Sequence, residues 1–563
     1  MNVGEMQKKL SLKAELEPEH LFENLYSLLC NQVWLRAAHH SVNTNTGRET
    51  AGIDGEEMLH FNGNIEGNLE TLGEQLKAKV FEPMPVRRVY IPKANGKKRP
   101  LGIPTIRDRI VQEALRMILE PIWEADFSNR SYGFRPNRST YDAISYLSNR
   151  LAGNGGWKFQ WVIEGDISSY FDTIPQRRLM KVIKKRVADR DIRELLWKFL
   201  RAGVMEQGEQ HETLTGTPQG GIISPLLANI YLHELDRYME STYLSLSQVE
   251  RGKRRRHKEA NFFYVRYADD FVVLTNGTKV QALAMKEELK GVLDQMGLKL
   301  SEEKTKVTHL TEGFKFLGYW IIRAIGETGK MVPKVHIPDS AMMRAIHEIR
   351  RILGPQTTSD ALAAKIQALN SFTRGWCQYY RCTSSPVKEF TKLEVELFWD
   401  MTHWLGKKYK LSTPAVLRRF KKGEYFSNDT RTVELIKPDK YKAKKRLVKA
   451  WHNPYTGTEK IEREMFFSYD QVWDGHYGKD REWYDLREQV ILLKGTICAI
   501  QGPDCLNQGK PLHPIEVEID HIIPRWKLKD YKEVDRMENL QPVCTPCHRA
   551  KTKSDRKVLS RMP

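Results

Sequence analysis

Long apolar runs are missing from this sequence, and nothing in its 563 residues approaches the roughly 20 that a helix needs to cross a bilayer. That excludes a membrane-spanning helical architecture. Cysteine is scarce, with seven in all, and Cys30, Cys377 and Cys382 lie apart from the four in the last stretch. A disulfide-built secreted domain is excluded. Acid is short as well: 71 Asp and Glu face 90 Lys and Arg, leaving a formal charge of +19 and an isoelectric point near 9.4. Such an excess on a globular composition points to a polyanionic partner, nucleic acid ahead of a membrane surface. The first 19 residues lack the apolar core of a secretory signal and the arginines of a transit peptide, and carry Glu5, Glu15, Glu17 and Glu19 instead. A cytoplasmic protein is the expectation. What the length does supply is material for several cores, about three to five domains.

The most informative stretch is Tyr267-Ala268-Asp269-Asp270, set between Phe262-Phe263-Tyr264-Val265 and Phe271-Val272-Val273-Leu274. A polar break between aromatic and β-branched runs predicts a hairpin with the two carboxylates at its tip. Neighbouring strand residues face opposite ways, so one acid, taken as Asp269, is the tight ligand of a cation and Asp270 its helper. Alone, the tetrapeptide reads better as an acidic surface turn, and the segments that follow reverse that judgement. A second strand, Trp161 to Asp166, also ends in an acid, with Phe171 five residues on as the floor of a small pocket. Polymerase chemistry needs this combination, because two divalent ions about 3.5–4 Å apart must be bridged by carboxylates from separate strands.

Between the acids lies Pro218-Gln219-Gly220-Gly221, whose glycines let backbone approach a ligand, followed by an apolar run that opens a helix. Upstream, Val86 to Pro92 and Lys98 to Pro104 flank Asn95-Gly96, a hairpin signal, with Lys93, Lys97, Lys98 and Arg99 able to grip phosphates or simply to be solvated. Helices are expected over 19–38, with Leu21 and Val33 in its apolar stripe, and over 107–123, and Ser131 to Pro136 reads as a loop.

This ordered series resembles the reverse transcriptases encoded by group II introns. The matching motifs are Ile91-Pro92-Lys93, Tyr132-Gly133-Phe134-Arg135, the Asp166 strand, Pro218-Gln219-Gly220, Tyr267-Ala268-Asp269-Asp270, Leu298 to Thr305 and Phe316-Leu317-Gly318-Tyr319. The resemblance implies that Asp166, Asp269 and Asp270 are the catalytic acids and hold two Mg²⁺. It implies that Phe171 excludes a ribose 2′-hydroxyl, that Gln219 lies beside the incoming nucleotide, and that Lys93 and Arg99 hold its triphosphate.

Beyond Pro338 three helices are expected, over 340–353, 359–381 and 387–409. The second carries Phe372, Arg374, Trp376, Tyr379, Tyr380 and Arg381, aromatics that stack on RNA or pack a core. The stretch resembles the thumb or maturase region of the same family, which binds and helps fold the intron RNA. Arg254, Arg255 and Arg256 sit in a basic block before the acidic hairpin, read as a solvated loop or an RNA-contacting insertion.

The last stretch carries a second chemistry. Glu516 to His521 is a strand ending in an acid and an imidazole, Asn539 follows, and Cys544-Thr545-Pro546-Cys547-His548 opens a basic helix. These residues resemble the HNH nucleases. By that resemblance His521 is the general base, Asp520 and His548 hold one divalent ion, and Asn539 orients the loop carrying His521. Histidine suits the first role because it titrates near neutral pH. Cys498, Cys505, Cys544 and Cys547 crowd together as a Zn²⁺ site, although Gln501 stands where the family spacing places the second cysteine.

The expected fold class is α+β and multidomain. It comprises an N-terminal extension of the fingers (1–80), fingers and palm of a right-hand polymerase with an antiparallel catalytic sheet (81–330), a helical thumb or maturase domain (331–425), a basic DNA-binding linker (426–485) and a small ββα-metal HNH domain (486–563). The implied activity is target-primed reverse transcription with group II intron RNA, target DNA and dNTPs as partners, in a bacterial cytoplasm and at the nucleoid when on DNA. The rival readings are a retron-like or defence reverse transcriptase, a splicing factor with relic enzymes, and a plain HNH nuclease with a nucleic-acid-binding extension.

Overall fold

The structure is a computed structural model and describes residues 2–92, 96, 98–152, 159–206, 209–211, 215–217, 220–326, 331–423, 425–428, 432–448, 451–457, 489–491, 493–503, 505, 509, 511, 517–524, 536–544, 547–548, 550–552 and 554–555. The chain forms two compact units, Met1–Glu462 and Arg463–Pro563, and its architecture is mixed α and β. In chain order the strands are β1 (Val86–Pro92), β2 (Lys98–Ile103), β3 (Trp161–Asp166), β4 (Val204–Glu206), β5 (Glu209–His211), β6 (Phe262–Tyr267), β7 (Asp270–Thr275), β8 (Lys306–His309), β9 (Phe314–Phe316), β10 (Tyr319–Ile325), β11 (Met331–His336), β12 (Lys421–Lys422), β13 (Tyr425–Phe426), β14 (Val517–His521) and β15 (Leu540–Cys544).

The centre of the first unit is a four-stranded sheet in the order β6-β7-β3-β8, antiparallel throughout. Tyr264, Val265, Val272, Val273, Leu274, Val162 and Ile163 are buried in it, as β-branched and aromatic side chains should be in a covered sheet. Against it stands the helix Lys279–Gln295, while the helix Ile106–Asp126, capped by Thr105, whose hydroxyl accepts from the Asp108 amide at 3.3 Å, packs with the N-terminal helices in the same core. A second sheet, in the order β2-β1-β4-β5, pairs β1 with β2 antiparallel, with Gly96 at φ 78° between them; Asn95 lies outside the described residues.

The expected helix over 19–38 is not what forms. Asn31 caps a helix that runs Gln32–Asn43, accepting from the Val33 amide at 2.9 Å, and a single turn, Tyr26–Leu29, precedes it. Phe22 instead bridges to Val187, and Leu21 and Val33, assigned to the apolar stripe, are exposed. A capping asparagine satisfies first-turn amides and so sets where the helix starts, irrespective of apolar spacing. The helix Val3–Leu16, capped by Asn2, has too weak an apolar stripe to be read from periodicity.

The helices Asp339–Ile352, Leu362–Tyr380, Pro386–Tyr409 and Thr413–Phe420 build their own core around Ile349, Ile366, Leu369, Leu393 and Met401. β10 is tied to them. The Tyr379 hydroxyl donates to the Leu317 carbonyl at 2.7 Å, Tyr319 donates to the Tyr379 carbonyl, and the two rings stack at 5.3 Å. Trp376 and Tyr380 therefore pack within the protein, leaving Arg374 on the exposed side of the helix.

Within the stretch read as a DNA-binding linker, residues 441–448 and 451–457 form an extended strap on the first unit. The Lys444 amide donates to the Arg381 carbonyl at 2.8 Å, while its ammonium sits 3.6 Å over the Tyr141 ring. Arg446 reaches the Cys382 carbonyl (2.6 Å) and the Ser148 hydroxyl (3.0 Å). Trp451 is buried beneath the Arg138 guanidinium at 4.3 Å, and Asn453 donates to Ser11 (2.9 Å) and Glu15 (2.7 Å). These cations are held by the protein itself, and residues 458–485 of that stretch lie outside the described residues. In the second unit β14 and β15 pair antiparallel over a small core of Val490, Val517, Leu540, Val543 and four buried cysteines.

Candidate active sites

The register of the central sheet decides the first site. Asp166, last in β3, lies directly opposite Asp270, first in β7, and Asp269 occupies the two-residue turn before it with Ala268. Asp269 is thus a turn residue, not the strand neighbour of Asp270 that simple alternation supposes. Three carboxylates converge, and the electrostatics show it. Burial raises the Asp269 carboxyl first, the Asp166 charge raises it further, and the Arg99 and Lys304 charges act against both. Asp270 keeps solvent access, yet the surrounding protein and the Asp269 and Asp166 charges push it up to about 7. Like charges held together resist ionisation unless a cation joins them. Lys304 supplies part of that charge, its ammonium 2.6 Å from Asp166 Oδ2. Hard carboxylate oxygens from separate strands suit Mg²⁺ chemically.

Beneath the turn lies a group outside the sequence motifs, centred on Arg266. Arg266 has no exposed surface; it donates to the Ala268 carbonyl (2.9 Å), to Asn229 Oδ1 (3.0 Å) and to Asp236 Oδ1 (2.7 Å). Tyr264 donates to the same Asp236 oxygen at 3.0 Å. Asn229 in turn donates to the Gly133 carbonyl at 2.8 Å. The available signal was a lone arginine inside an apolar strand, which folding tolerates only when its charge is paired. A Cβ at Gly133 would lie 2.4 Å from the Ala268 amide nitrogen, so only glycine allows this loop onto the turn.

Phe171 sits in the short helix Tyr170–Thr173, mostly buried, with its ring edge-on to Phe134 at 6.2 Å. Gly220, at φ 115°, presses on β2, where a Cβ would fall 2.3 Å from the Gly102 carbonyl oxygen. Gln219 and Lys93 lie outside the described residues, and Arg99 is exposed on β2. Arg254, Arg255 and Arg256 end a helix, Gln248–Arg256, which a capping box between Ser247 and Glu250 opens. The block is therefore helical, with Arg255 and Arg256 exposed and Arg254 donating to the Ala260 carbonyl at 3.1 Å. Arg381 is half-buried at the end of its helix, its carbonyl taken by the strap.

In the second unit His521 ends β14 opposite Leu540, and Asp520 faces Gln541, which donates to it at 3.0 Å. Asn539 closes the loop after His521, accepting from the Ile523 amide at 2.8 Å and donating to the Ile523 carbonyl at 3.2 Å. His548 stands between two carboxylates: Nδ1 meets Glu518, and Nε2 is 3.6 Å from Asp520. Glu518 was not foreseen as a site residue, although its i, i+2 spacing to Asp520 puts both on one strand face. Lys551 binds Asp520 (3.2 Å) and the His521 carbonyl (2.7 Å).

Cys498, Cys505, Cys544 and Cys547 are all buried, and one sulfur from each lies within 4.8 Å of the others. The long first spacing is absorbed by a turn in which Gln501 takes φ 46° and the Cys505 amide donates to the Gly502 carbonyl at 2.9 Å. Burial pushes the Cys498 thiol up, but the amides of Cys544, Gln501 and Ile500 outweigh it and its pKa falls to about 7. Thiolate is the form a metal takes, and this cluster fits one.

Three family descriptions match the chain in series: reverse transcriptase (RNA-dependent DNA polymerase) over residues 91–321, group II intron maturase-specific domain over 342–425, and HNH endonuclease over 505–554. Protein YkfC of Escherichia coli (strain K12) is 42% identical over 347 residues, 59% of this chain and 91% of that protein. The group II intron-encoded protein LtrA of Lactococcus lactis subsp. cremoris is 28% identical over 613 aligned residues, 96% of this chain and 98% of that one. The chain belongs to the group II intron-encoded reverse transcriptase and maturase family. Nuclear intron maturase 1, mitochondrial, of Arabidopsis thaliana is 25% identical over 337 residues, covering 44% of this chain and 47% of its own length.

As a family member with an HNH domain, the protein is an RNA-directed DNA polymerase and a DNA endonuclease of intron mobility. The maturase-specific match stands against a retron-like enzyme, and the reverse transcriptase match against a plain HNH nuclease with a nucleic-acid-binding extension. Among the described residues no helix is long and apolar enough to cross a membrane.

Proposed function

We propose that this protein copies its own intron RNA into DNA at a nicked target, using Asp166, Asp269 and Asp270 for synthesis and His521, Asn539, Asp520 and His548 for cutting. The observation that carries the reading is the register that sets Asp166 opposite Asp270 with Asp269 in the adjoining turn. Two Mg²⁺ bound there would activate a primer 3′-hydroxyl and neutralise the triphosphate. The three acids orient the reacting ends, the β1–β2 hairpin holds the triphosphate through Lys93 and Arg99, Gln219 lies beside the nucleotide, and Phe171 blocks a 2′-hydroxyl. In this arrangement the two sheets are fingers and palm, and the helices from Asp339 are a thumb that also grips intron RNA, with Arg374, Arg381 and the Arg254 to Arg256 helix on its phosphates.

In the nuclease unit, a ββα-metal fold, His521 takes the proton of the attacking water while Asn539 holds its loop. Asp520 and His548 hold the divalent ion, and the four cysteines hold Zn²⁺. The five segments bounded near 80, 330, 425 and 485 are then fingers extension, polymerase, maturase, DNA-binding linker and nuclease. The place of work is the bacterial cytoplasm, at the nucleoid when target DNA is engaged. The test is splicing of a transcript containing the flanking intron at low Mg²⁺, with and without purified protein. Protein-dependent excision is expected; excision that ignores the protein, with primer extension active, would move the assignment to a reverse transcriptase of a different element.

A further inference from the structure

Phe134 combines two features that a core residue does not. Its side chain is 54% exposed, and its backbone holds φ at 56°, a region costly for a bulky L-residue. Such a conformation persists only where the surroundings over-determine it, and they do. Arg135 locks one side of the loop by a two-point contact with Glu124 (2.9 and 2.7 Å) and a bond to the Ser131 carbonyl (2.9 Å). The Tyr132 amide donates to the Arg266 carbonyl at 2.9 Å, and the Gly133 carbonyl is held by Asn229. Asn229 is gripped by Arg266, which also binds the carbonyl of Ala268 in the catalytic turn. The Phe134 backbone, and with it the Cα that carries the ring, is therefore fixed relative to the acids.

What that ring meets is Phe171, edge to face at 84° with centroids 6.2 Å apart. The Phe171 backbone is pinned from behind, because its carbonyl accepts from the Thr217 amide at 2.7 Å and the adjacent Tyr170 hydroxyl donates to the Ala228 carbonyl at 2.6 Å. Tyr170 packs on the Phe171 ring at 5.7 Å and Phe134 on its other contact. A phenyl ring with a fixed Cα and no lateral neighbour turns about χ1 and χ2; a second aromatic edge removes that freedom.

We infer that Phe134 is a specificity-determining positioning residue, which holds the Phe171 ring across the path of a ribose 2′-hydroxyl. The inference rests on the reading of Phe171 as the sugar gate. Slack in such a gate matters, since an apolar wall rejects an added hydroxyl by only about a hundred-fold and any yielding of the ring lowers that ratio directly.

The experiment is single-nucleotide incorporation by the full chain on an RNA template, with kcat and KM taken separately for a dNTP and the matching rNTP, in wild type, Phe134→Ala, Phe134→Tyr and Phe171→Ala. Phe134→Ala is expected to shift the dNTP-to-rNTP ratio of kcat/KM toward rNTP by about ten-fold, the order of a methylene-sized change in a pocket. Phe134→Tyr keeps the ring edge and should keep the ratio. Phe171→Ala should shift it further. An unchanged ratio in Phe171→Ala overturns the gate reading and the inference with it. A shifted ratio in Phe171→Ala with none in Phe134→Ala overturns the inference alone, as does an equal loss on both nucleotides, which would make the exposed ring a nucleic-acid contact instead. Because the ring is half in solvent, thermal unfolding of Phe134→Ala should match wild type.

Discussion

The two candidate sites solve one problem, holding acids at a fixed spacing, with opposite amounts of support. The polymerase acids stand on a four-stranded antiparallel sheet whose turn is gripped from below by a fully buried Arg266–Asp236 pair. The acids of the second site, Glu518 and Asp520, stand on one five-residue strand paired with another, and four of the nine buried residues in their described core are cysteines. A large core can bear the cost of a buried ion pair in return for rigidity. A small one cannot cover enough apolar surface and is stapled by a metal instead. Rigidity at the first site comes from depth; at the second, the four clustered cysteines are fitted to supply it through a metal.

The sharpest way to break this contrast is to remove one acid from each site. Asp269→Ala should lower primer extension at least about a thousand-fold, the several kcal/mol that a two-ion site supplies, and leave DNA nicking and RNA binding at wild-type levels. His521→Ala should do the reverse. Loss of both activities in either variant would mean that the units do not act separately.

Next in size is removal of the staple. Cys544→Ser, or strong chelation of the wild type, should unfold the second unit, since a structural metal supplies on the order of 10 kcal/mol of folding free energy to such sites. Nicking and bound metal would vanish together while primer extension persists. A variant that keeps nicking and loses metal would show that the small core suffices alone.

The smallest effect concerns protons at the first site. Asp270 is pushed up to about 7, so below that pH a proton occupies the oxygens that Mg²⁺ needs, and above it the carboxylate is free. The half-saturating Mg²⁺ for DNA synthesis should rise by up to about ten-fold per pH unit below 7 and level off above it. Titration of primer extension with Mg²⁺ at several pH values measures this; a flat dependence would mean that ion entry does not compete with the Asp270 proton.

Much of this arrangement was legible in the chain, for a physical reason. Strand-ending acids interrupt runs such as Phe262 to Leu274 at a point where alternation fails, so the hairpin and the Asp166 strand both show in one dimension. Their exact register does not, and it was register that set Asp270 opposite Asp166 and left Asp269 in the turn. Long-range pairings were invisible for the same reason: Asp236 lies 30 residues from Arg266, and Lys304 lies 138 from Asp166. The first helix was misplaced because Asn31 outweighs the leucine and valine spacing. Gln501 hid the fit of Cys505, since a non-glycine at positive φ is not expected to make the turn.

The strap has a consequence for how the protein comes into being. Asn453 completes the N-terminal helix by bonding Ser11, 442 residues earlier in the chain, and Trp451 covers Tyr132 and Arg138 with its ring. On a ribosome the first unit therefore waits for its own far end. Translation must pass the helices Asp339–Ile352, Leu362–Tyr380 and Pro386–Tyr409 before Tyr132, in the loop packed on the acidic turn, receives its last cover, so the order of synthesis places completion of the acidic sheet's surroundings after that of the helical core.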